Sequence, residues 1–566
     1  MKRVLAVFLA AALLLTLLAG CIGGKETPEA SPGASPEVSP EEAGRDATGA
    51  YLLNDRGEAI VDDAALDSPV ATDDNYRVFY EIFVGSFSDS NGDGTGDLRG
   101  IIDHMDYLND GDDASGVSLG VEGLWLSPVF KSGSYHKYDV NDYYTIDPAF
   151  GTREDLAELL EICHERNVKV ILDLVINHTG LLNPWFSAFT AAQRSGDTED
   201  PYYDFYTYYT KGETAPAGRA FNQLSGTDIF YECNFSGSMP ELNFDNEAVR
   251  QAVLDVAKYY LDLGVDGFRF DAAKYIYYGD NARSADFWQW YIGELKAVKP
   301  DVYTVAEVWD SDGITDIYYP ALNCFNFTTS QTSGLIAQTA QAGDVNKYTA
   351  YVQSYLERVT ALNADAMIVP FIANHDTDRA AGYLTVASGQ MKMAANLYLL
   401  SSGSPFLYYG EELGMKGSRG GASTDANRRL KMEWGDNDTV ADPEGATYNS
   451  ARVSATAAEQ MADGDSLYTY YKKLIMIRKA TPAICRGKYT ALTFEGTKLG
   501  GFTAAYEGIT VAVLHNTSGS AVTVDLSDVT DVPFTRINAA IGAGSAALDG
   551  TVLTLDSQTS VVLGCG

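Results

Sequence analysis

Between Arg77 and Tyr409 the chain alternates short apolar runs with amphipathic stretches, and few architectures accept that alternation. The spacing predicts strands at 78–84, 121–126, 168–176, 264–270, 302–306, 322–327, 367–373 and 405–409. Helical patterns fall between them. At 153–166, for example, Leu156, Leu159, Leu160 and Cys163 form one apolar stripe. Eight short strands separated by helices over about 330 residues predict an α/β fold, a parallel (β/α)8 TIM barrel. An open doubly wound sheet is the alternative, but no glycine-rich phosphate loop follows the first strand.

A barrel of this kind does its chemistry where the strands end, so polar residues should gather there. The third strand ends in Asn177-His178, the fourth in Arg269 and Asp271, the fifth in Glu307, and the seventh in Asn374-His375-Asp376. On the fourth strand, period two sends Val265, Gly267, Arg269 and Asp271 to one side and Phe268 and Phe270 to the other. A guanidinium two residues from a carboxylate holds the acid ionised, and an ionised acid is a nucleophile. Any one of these residues also reads as a cap or a bonded core group. Their joint placement at separate strand ends argues for a shared pocket.

Four segments in order, Asp173-Leu174-Val175-Ile176-Asn177-His178, Gly267 to Lys274, Val305-Ala306-Glu307-Val308-Trp309 and Phe371-Ile372-Ala373-Asn374-His375-Asp376, resemble the signature regions of the α-amylase family of glycoside hydrolases. Met239-Pro240-Glu241-Leu242-Asn243, Gly123-Leu124-Trp125-Leu126-Ser127-Pro128, Tyr135-His136-Lys137-Tyr138-Asp139-Val140 and Tyr409-Gly410-Glu411-Glu412 resemble further family segments. The resemblance implies that Asp271 is the nucleophile, Glu307 the general acid/base and Asp376 the third carboxylate that grips the sugar. It also implies that Arg269 orients Asp271, that His178 and His375 bond sugar hydroxyls, that Tyr138 stacks on the sugar ring and that Lys274 reaches the leaving-group side. Two carboxyls about 5 Å apart permit hydrolysis with retention through a covalent intermediate. The apolar neighbours Val305, Ala306, Val308 and Trp309 suit a Glu307 that holds its proton. One departure stands out: Tyr275 follows the lysine, where many α-amylases carry histidine. Ala272 after the nucleophile resembles members that cut α-1,4 bonds.

In the stretch 89–97, oxygen side chains recur at alternate positions with glycine at the sixth, but Gly100 stands where an EF-hand requires glutamate. By resemblance to the calcium loop after the first strand in part of the family, Asp89, Asn91, Asp93, Asp97 and the Thr95 carbonyl are expected to hold a structural Ca2+. A second calcium at Asn177 has no assignable partner ligands. Residues 76–480 are expected to form the catalytic barrel, with 179–260 inserted as a small domain B. The aromatic run from Tyr202 to Tyr209 in that insertion reads as its core and is left out of the site. Alternating Thr, Val and Gly over 481–566 predict a C-terminal antiparallel β-sandwich.

The first 20 residues read as a lipoprotein export signal. Lys2 and Arg3 precede an apolar run over 4–18, and Leu18-Ala19-Gly20-Cys21 resembles a lipobox that would place a lipid on Cys21. A linker to residue 50, rich in Pro, Ser, Glu, Gly and Ala, has too little apolar surface for a core. The expected location is the outer face of the cytoplasmic membrane or the cell envelope, with membrane contact through the anchor alone. A formal net charge of −37 argues against nucleic acid or anionic lipid as a partner, since both would be repelled. Six cysteines at irregular spacing predict free thiols, with a Cys485–Cys565 bridge as the alternative. Together with these features, the family resemblance implies a monomeric, extracellular, endo-acting retaining hydrolase of α-1,4-glucans such as starch or maltodextrin. The alternatives are an α-glucosidase or neopullulanase-like enzyme, a transglycosidase, and a non-catalytic glycan-binding lipoprotein.

Overall fold

The computed structural model describes residues 74–565, apart from positions 113, 114, 342, 422 and 436. The export signal, Cys21 and the linker to residue 50 lie outside the described residues. Seven parallel strands make the central sheet: β1 (Phe79–Ile82), β2 (Gly123–Leu126), β3 (Lys169–Leu174), β4 (Gly267–Phe270), β5 (Tyr303–Ala306), β6 (Asn323–Cys324) and β7 (Phe406–Tyr408), in the order β6-β5-β4-β3-β2-β1-β7. Single parallel bridges, Phe325 to Val369 and Phe371 to Phe406, close the ring. The strand expected at 367–373 is therefore reduced to two contacts. Pro370 has no N–H to give, so the ladder cannot run through it; its carbonyl still accepts from Phe406 N at 3.0 Å.

Large side chains fill the barrel. Phe79, Trp125, Ile171, Tyr303, Val305, Phe325, Phe371 and Phe406 form one buried cluster. Two glycines make room for it: a Cβ on Gly123 would stand 2.4 Å from the Phe79 ring, and one on Gly267 would stand 1.9 Å from the Tyr303 carbonyl oxygen. Phe268 and Phe270 turn outward instead, and Phe270 meets Trp288 of the helix Asn281–Val298 with ring centroids 4.6 Å apart. The alternation that faces Arg269 inward is thus enforced by burial on both sides of β4.

Two excursions overhang the carboxyl ends of the strands. After β2 the chain makes a hairpin, Phe130–Ser132 with Val140–Ile146, whose turn holds Tyr138. After β3 it builds a helix, Pro184–Ser195, and a three-stranded antiparallel sheet, Tyr208–Thr210, Ile229–Glu232 and Phe221–Gln223. Phe186, Phe189, Phe205 and Tyr206 are buried in this unit, so its aromatic run supplies core. The helix Glu247–Leu263 then runs through position 260 and returns the chain to β4.

The C-terminal region holds a five-stranded antiparallel sheet and a three-stranded one around a core of its own that includes Leu499, Leu514, Leu553, Leu555, Val561 and Leu563. Asn396 and Tyr470 tie it to the barrel, since Asn396 Nδ2 donates to Ser560 Oγ and Tyr470 OH donates to Asn396 Oδ1, both at 2.8 Å. Cys163, Cys233, Cys324, Cys485 and Cys565 are all free, so the alternative Cys485–Cys565 bridge is not made. Among the described residues no helix is long and apolar enough to cross a membrane.

Candidate active site

Arg269 is wholly buried and serves three carboxyls. Its Nη1 lies 2.9 Å from Asp173 Oδ1 and 2.7 Å from Asp271 Oδ1, and its Nη2 lies 3.1 Å from Glu307 Oε2. The Trp125 ring backs the guanidinium at 5.2 Å. One planar cation at the end of β4 therefore holds the acids expected to be nucleophile and proton donor at either side of itself. Ala272, next to Asp271, sits in the left-handed region at φ 49°. That strained turn aims its N–H at Glu307 Oε2, 3.0 Å away. Burial pushes the Glu307 acid up, Arg269 opposes the rise, and the charges of Asp271 and Asp376 add to it. Oε2 faces the Ala272 N–H and the Arg269 guanidinium, which leaves Oε1 as the oxygen without such a partner.

A second chain of contacts fixes Asp376. Glu81, in the middle of β1, lies 2.5 Å from His375 Nδ1, and His375 Nε2 lies 3.0 Å from Asp376 Oδ2. Arg429 Nη2 meets Asp376 Oδ1 at 2.7 Å. Burial would push His375 down, but the charges of Asp376 and Glu81 prevail and raise it to about 10. Burial would likewise raise Asp376, but His375 and Arg429 hold it well below the usual carboxylate range. Asp376 is thus an anion fixed between two cations.

Tyr138 joins the two sets. Its hydroxyl donates to Asp173 Oδ2 at 2.9 Å and lies 2.6 Å from His375 Nε2, and its ring stacks on the His375 ring at 5.5 Å. Asp173, completely buried, is raised to about 7 by that burial, against the pull of Arg269. Asp271, Glu307, Asp376, Tyr138 and Arg429 line a cavity of about 840 Å³ together with His178 and Trp309, while Arg269, Asp173 and His375 are fully buried behind them. Burial pushes the His178 imidazole below its ordinary range, against the opposing charges of Asp271 and Asp139. Lys274 also lines the cavity, but its Nζ is engaged by the Trp309 carbonyl at 2.8 Å and Asp310 at 3.0 Å. Tyr275, in place of the histidine seen in many α-amylases, packs edge-on to Phe235 at the cavity wall. Trp309 is not a buried neighbour of Glu307: it is 40% exposed and stacks on Phe327.

The loop 89–97 follows β1, away from the acids. Asp89, Asn91 and Asp93 each accept a main-chain N–H two residues on, from Asn91, Asp93 and Thr95. Asp97 Oδ1 caps the helix Leu98–Asp103. Among the described residues no three His, Cys, Asp or Glu side chains gather as a metal site. A cation here would rest on the Asn91 amide and the Thr95 carbonyl as much as on carboxylates, a mixed oxygen set that suits a hard ion. Asn177, named above for a second calcium, is bonded to Glu241.

Three residues of the site escape a reading by strand ends. Asp173 and Glu81 lie inside strands; Asp173 opens a segment that resembles a family signature, and for Glu81 the signal is a carboxylate interrupting an apolar run. Arg429 lies in the irregular chain after β7, 53 residues from its partner, and nothing in its neighbourhood marks it.

Residues 81–487 match the family described as alpha amylase, catalytic domain. Alpha-amylase 3 of Dictyoglomus thermophilum is 36% identical over 445 residues, which cover 78% of this chain and 84% of that protein. A 4-alpha-glucanotransferase of Thermotoga neapolitana is 29% identical over 452 residues, 78% of this chain and 95% of that protein. The solved structure of Eubacterium rectale Amy13B superposes with a TM-score of 0.80 at 35% identity, covering 87% of this chain and 96% of that one. With three acids drawn together at the carboxyl ends of barrel strands and a catalytic-domain match across most of its length, the chain belongs to the α-amylase family of glycoside hydrolases and transferases.

Proposed function

We propose that the protein hydrolyses internal α-1,4-glucosidic bonds of starch, maltodextrin or related α-glucans with retention of configuration. The observation that carries this is the single Arg269 guanidinium reaching both Asp271 and Glu307 at the cavity. In the first step the Glu307 carboxyl gives its proton to the glucosidic oxygen while Asp271 Oδ attacks the anomeric carbon. The bond to the leaving sugar breaks and a glucosyl ester on Asp271 forms. Asp376, already an anion, binds sugar hydroxyls more tightly as positive charge grows on the ring. In the second step Glu307, now a carboxylate, takes a proton from water, and the water oxygen displaces Asp271. A cavity of about 840 Å³ lies at the upper end of small-ligand sites and suits a substrate longer than one ring.

A second reading has a specific support, the similarity to a 4-alpha-glucanotransferase. If a sugar hydroxyl replaces water in the second step, the same residues perform transfer. Product profiles on starch, maltooligosaccharides, pullulan and isomaltose separate the readings. Mid-length maltooligosaccharides from starch support endo-hydrolysis, while products longer than the added oligosaccharide at high acceptor concentration support transfer. Release of glucose alone would point to an α-glucosidase.

The reading extends to place and cofactor. The run 4–18 and the Cys21 box support export and lipid anchoring, tested by whether Cys21→Ser moves the enzyme from the membrane fraction to the medium. The five oxygen donors of 89–97 support a structural Ca2+ that takes no part in bond breaking, tested by calcium titration of the melting point. The protein is read as a monomer, which light scattering measures directly.

A further inference from the structure

We propose that Lys137 is a positioning residue: its ion pair with Asp147 sets the turn 133–139 so that Tyr138 keeps its ring at the cavity. The inference rests on the reading of Tyr138 as the residue that stacks on the sugar. Ser134, Tyr135, His136, Tyr138 and Asp139 all line the cavity, and Lys137, between them, does not. Its backbone is left-handed, at φ 66°. Glycine takes that conformation freely, whereas a residue with a Cβ is disfavoured there. The turn therefore carries a lysine where the backbone alone would favour glycine, and the reason lies in where the side chain goes.

It goes into a buried ion pair. Lys137 Nζ lies 2.9 Å from Asp147 Oδ2, with only 11% of the lysine side chain and 7% of the aspartate side chain exposed. The Phe150 ring lies 5.2 Å from the same ammonium. Asp147 Oδ2 also accepts from Ser132 N at 3.0 Å, and its Oδ1 accepts from Ala149 N at 3.0 Å. One carboxylate just past the hairpin thus ties down both Ser132, where the turn begins, and Lys137, beside Tyr138. Inside the turn Ser134 Oγ accepts from Lys137 N at 3.2 Å, and His136 Nδ1 accepts from Tyr138 N at 3.1 Å. At its far end Tyr138 is held by Asp173 and His375. The ion pair fixes its near end, the backbone that carries the ring. Breaking a buried pair leaves an uncompensated charge, so this end is held firmly.

Lys137→Gly removes the tether and relieves the backbone, and with no side chain at 137 water can reach Asp147, so the variant should fold. Lys137→Met keeps the bulk and loses only the charge. Substrate-free crystal structures of both read the Tyr138 ring directly, which is expected to leave its stack on His375 or to occupy more than one position. On an aryl maltooligosaccharide kcat/KM should fall about tenfold, mainly through kcat, since a misplacement of about 1 Å near the reacting ring costs up to about 100-fold. Lys137→Arg, which keeps a cation for Asp147, should recover part of the loss. In a Tyr138→Ala background Lys137→Gly should cause no further loss, because a residue that acts through Tyr138 then has nothing to position. A merely structural role would cost the same in both backgrounds. A Tyr138 ring unmoved in either variant, Lys137→Gly as active as the wild type, or an equal loss in the Tyr138→Ala background overturns the inference. Full activity of Tyr138→Ala alone would instead overturn the reading of Tyr138 as a sugar contact, and the crystal structures would still decide the inference.

Discussion

Replacing Asp271 with asparagine should abolish turnover and leave the fold about as stable as before. Three carboxyls crowd one guanidinium in the wild type. An ion pair at contact is worth about 4 kcal/mol at an effective dielectric near 20, and each like-charge pair slightly farther apart about 2–3 kcal/mol of opposite sign. Asp271→Asn loses one attraction, relieves a partial repulsion from Asp173, whose acid is raised to about 7, and frees the protein from burying one anion. Glu307, holding its proton, contributes no repulsion. These opposing effects leave the variant within about 2 kcal/mol of the wild type. The Asp271 charge also raises both Asp173 and Glu307, so both acids should titrate lower in the variant. Turnover, in contrast, loses its nucleophile. A fall of at least 10⁴ in kcat is expected, about 5.5 kcal/mol in barrier. Initial rates on an aryl maltooligosaccharide and thermal unfolding at pH 7 measure the two effects side by side. In Asp271→Ala, where the side chain is removed, added azide should restore part of the turnover and give a glucosyl azide of inverted configuration, because the small anion enters from the vacated side. A loss under 100-fold, or a melting point several degrees below wild type, would refute the assignment of Asp271 as a nucleophile held under like-charge strain.

Three further outcomes follow from the same contacts. Arg429→Met removes the cation 2.7 Å from Asp376 and should lower kcat/KM about tenfold, while Arg429→Lys recovers part of it; equal activity in both would deny Arg429 a role in holding Asp376. His375 is raised in the folded state to about 10, above its unfolded value near 6.5, so its charge stabilises the fold fully below pH 6.5 and that contribution is lost as pH rises through 10. Melting points should therefore fall between pH 8 and 10.5, and the fall should shrink in Glu81→Gln, which removes one of the two charges that raise His375. Chelation of the wild type should lower the melting point without changing kcat at 25 °C, and Asp93→Ala should abolish that difference; a chelator that reduces kcat while the melting point stays fixed would place the metal in the chemistry instead.

Much of the site was legible because barrel geometry turns sequence position into spatial position. A residue at the carboxyl end of any parallel strand faces the same opening. Asp271, Glu307, His178 and Asp376 were therefore found by locating strand ends, and the structure brings all four to one cavity. Lys274 reaches that cavity too, although its ammonium is spent on Trp309 and Asp310. Trp309 shows where local reading stopped. A tryptophan following an apolar strand reads as core, but the chain turns after Ala306 and leaves it on the cavity wall.

The sequence by itself determined the alternation of strands and helices, the inward face of β4 and the order of the acids along the chain, because side-chain periodicity and burial act over a few residues. Tertiary structure alone decided which partners set the charge of those acids. Arg429 reaches Asp376 across 53 residues, Glu81 reaches His375 across 294, and Asp173 shares Arg269 across 96. Such pairs depend on closure of the ring and on the path of loops, and electrostatic energy follows distance in space rather than distance along the chain.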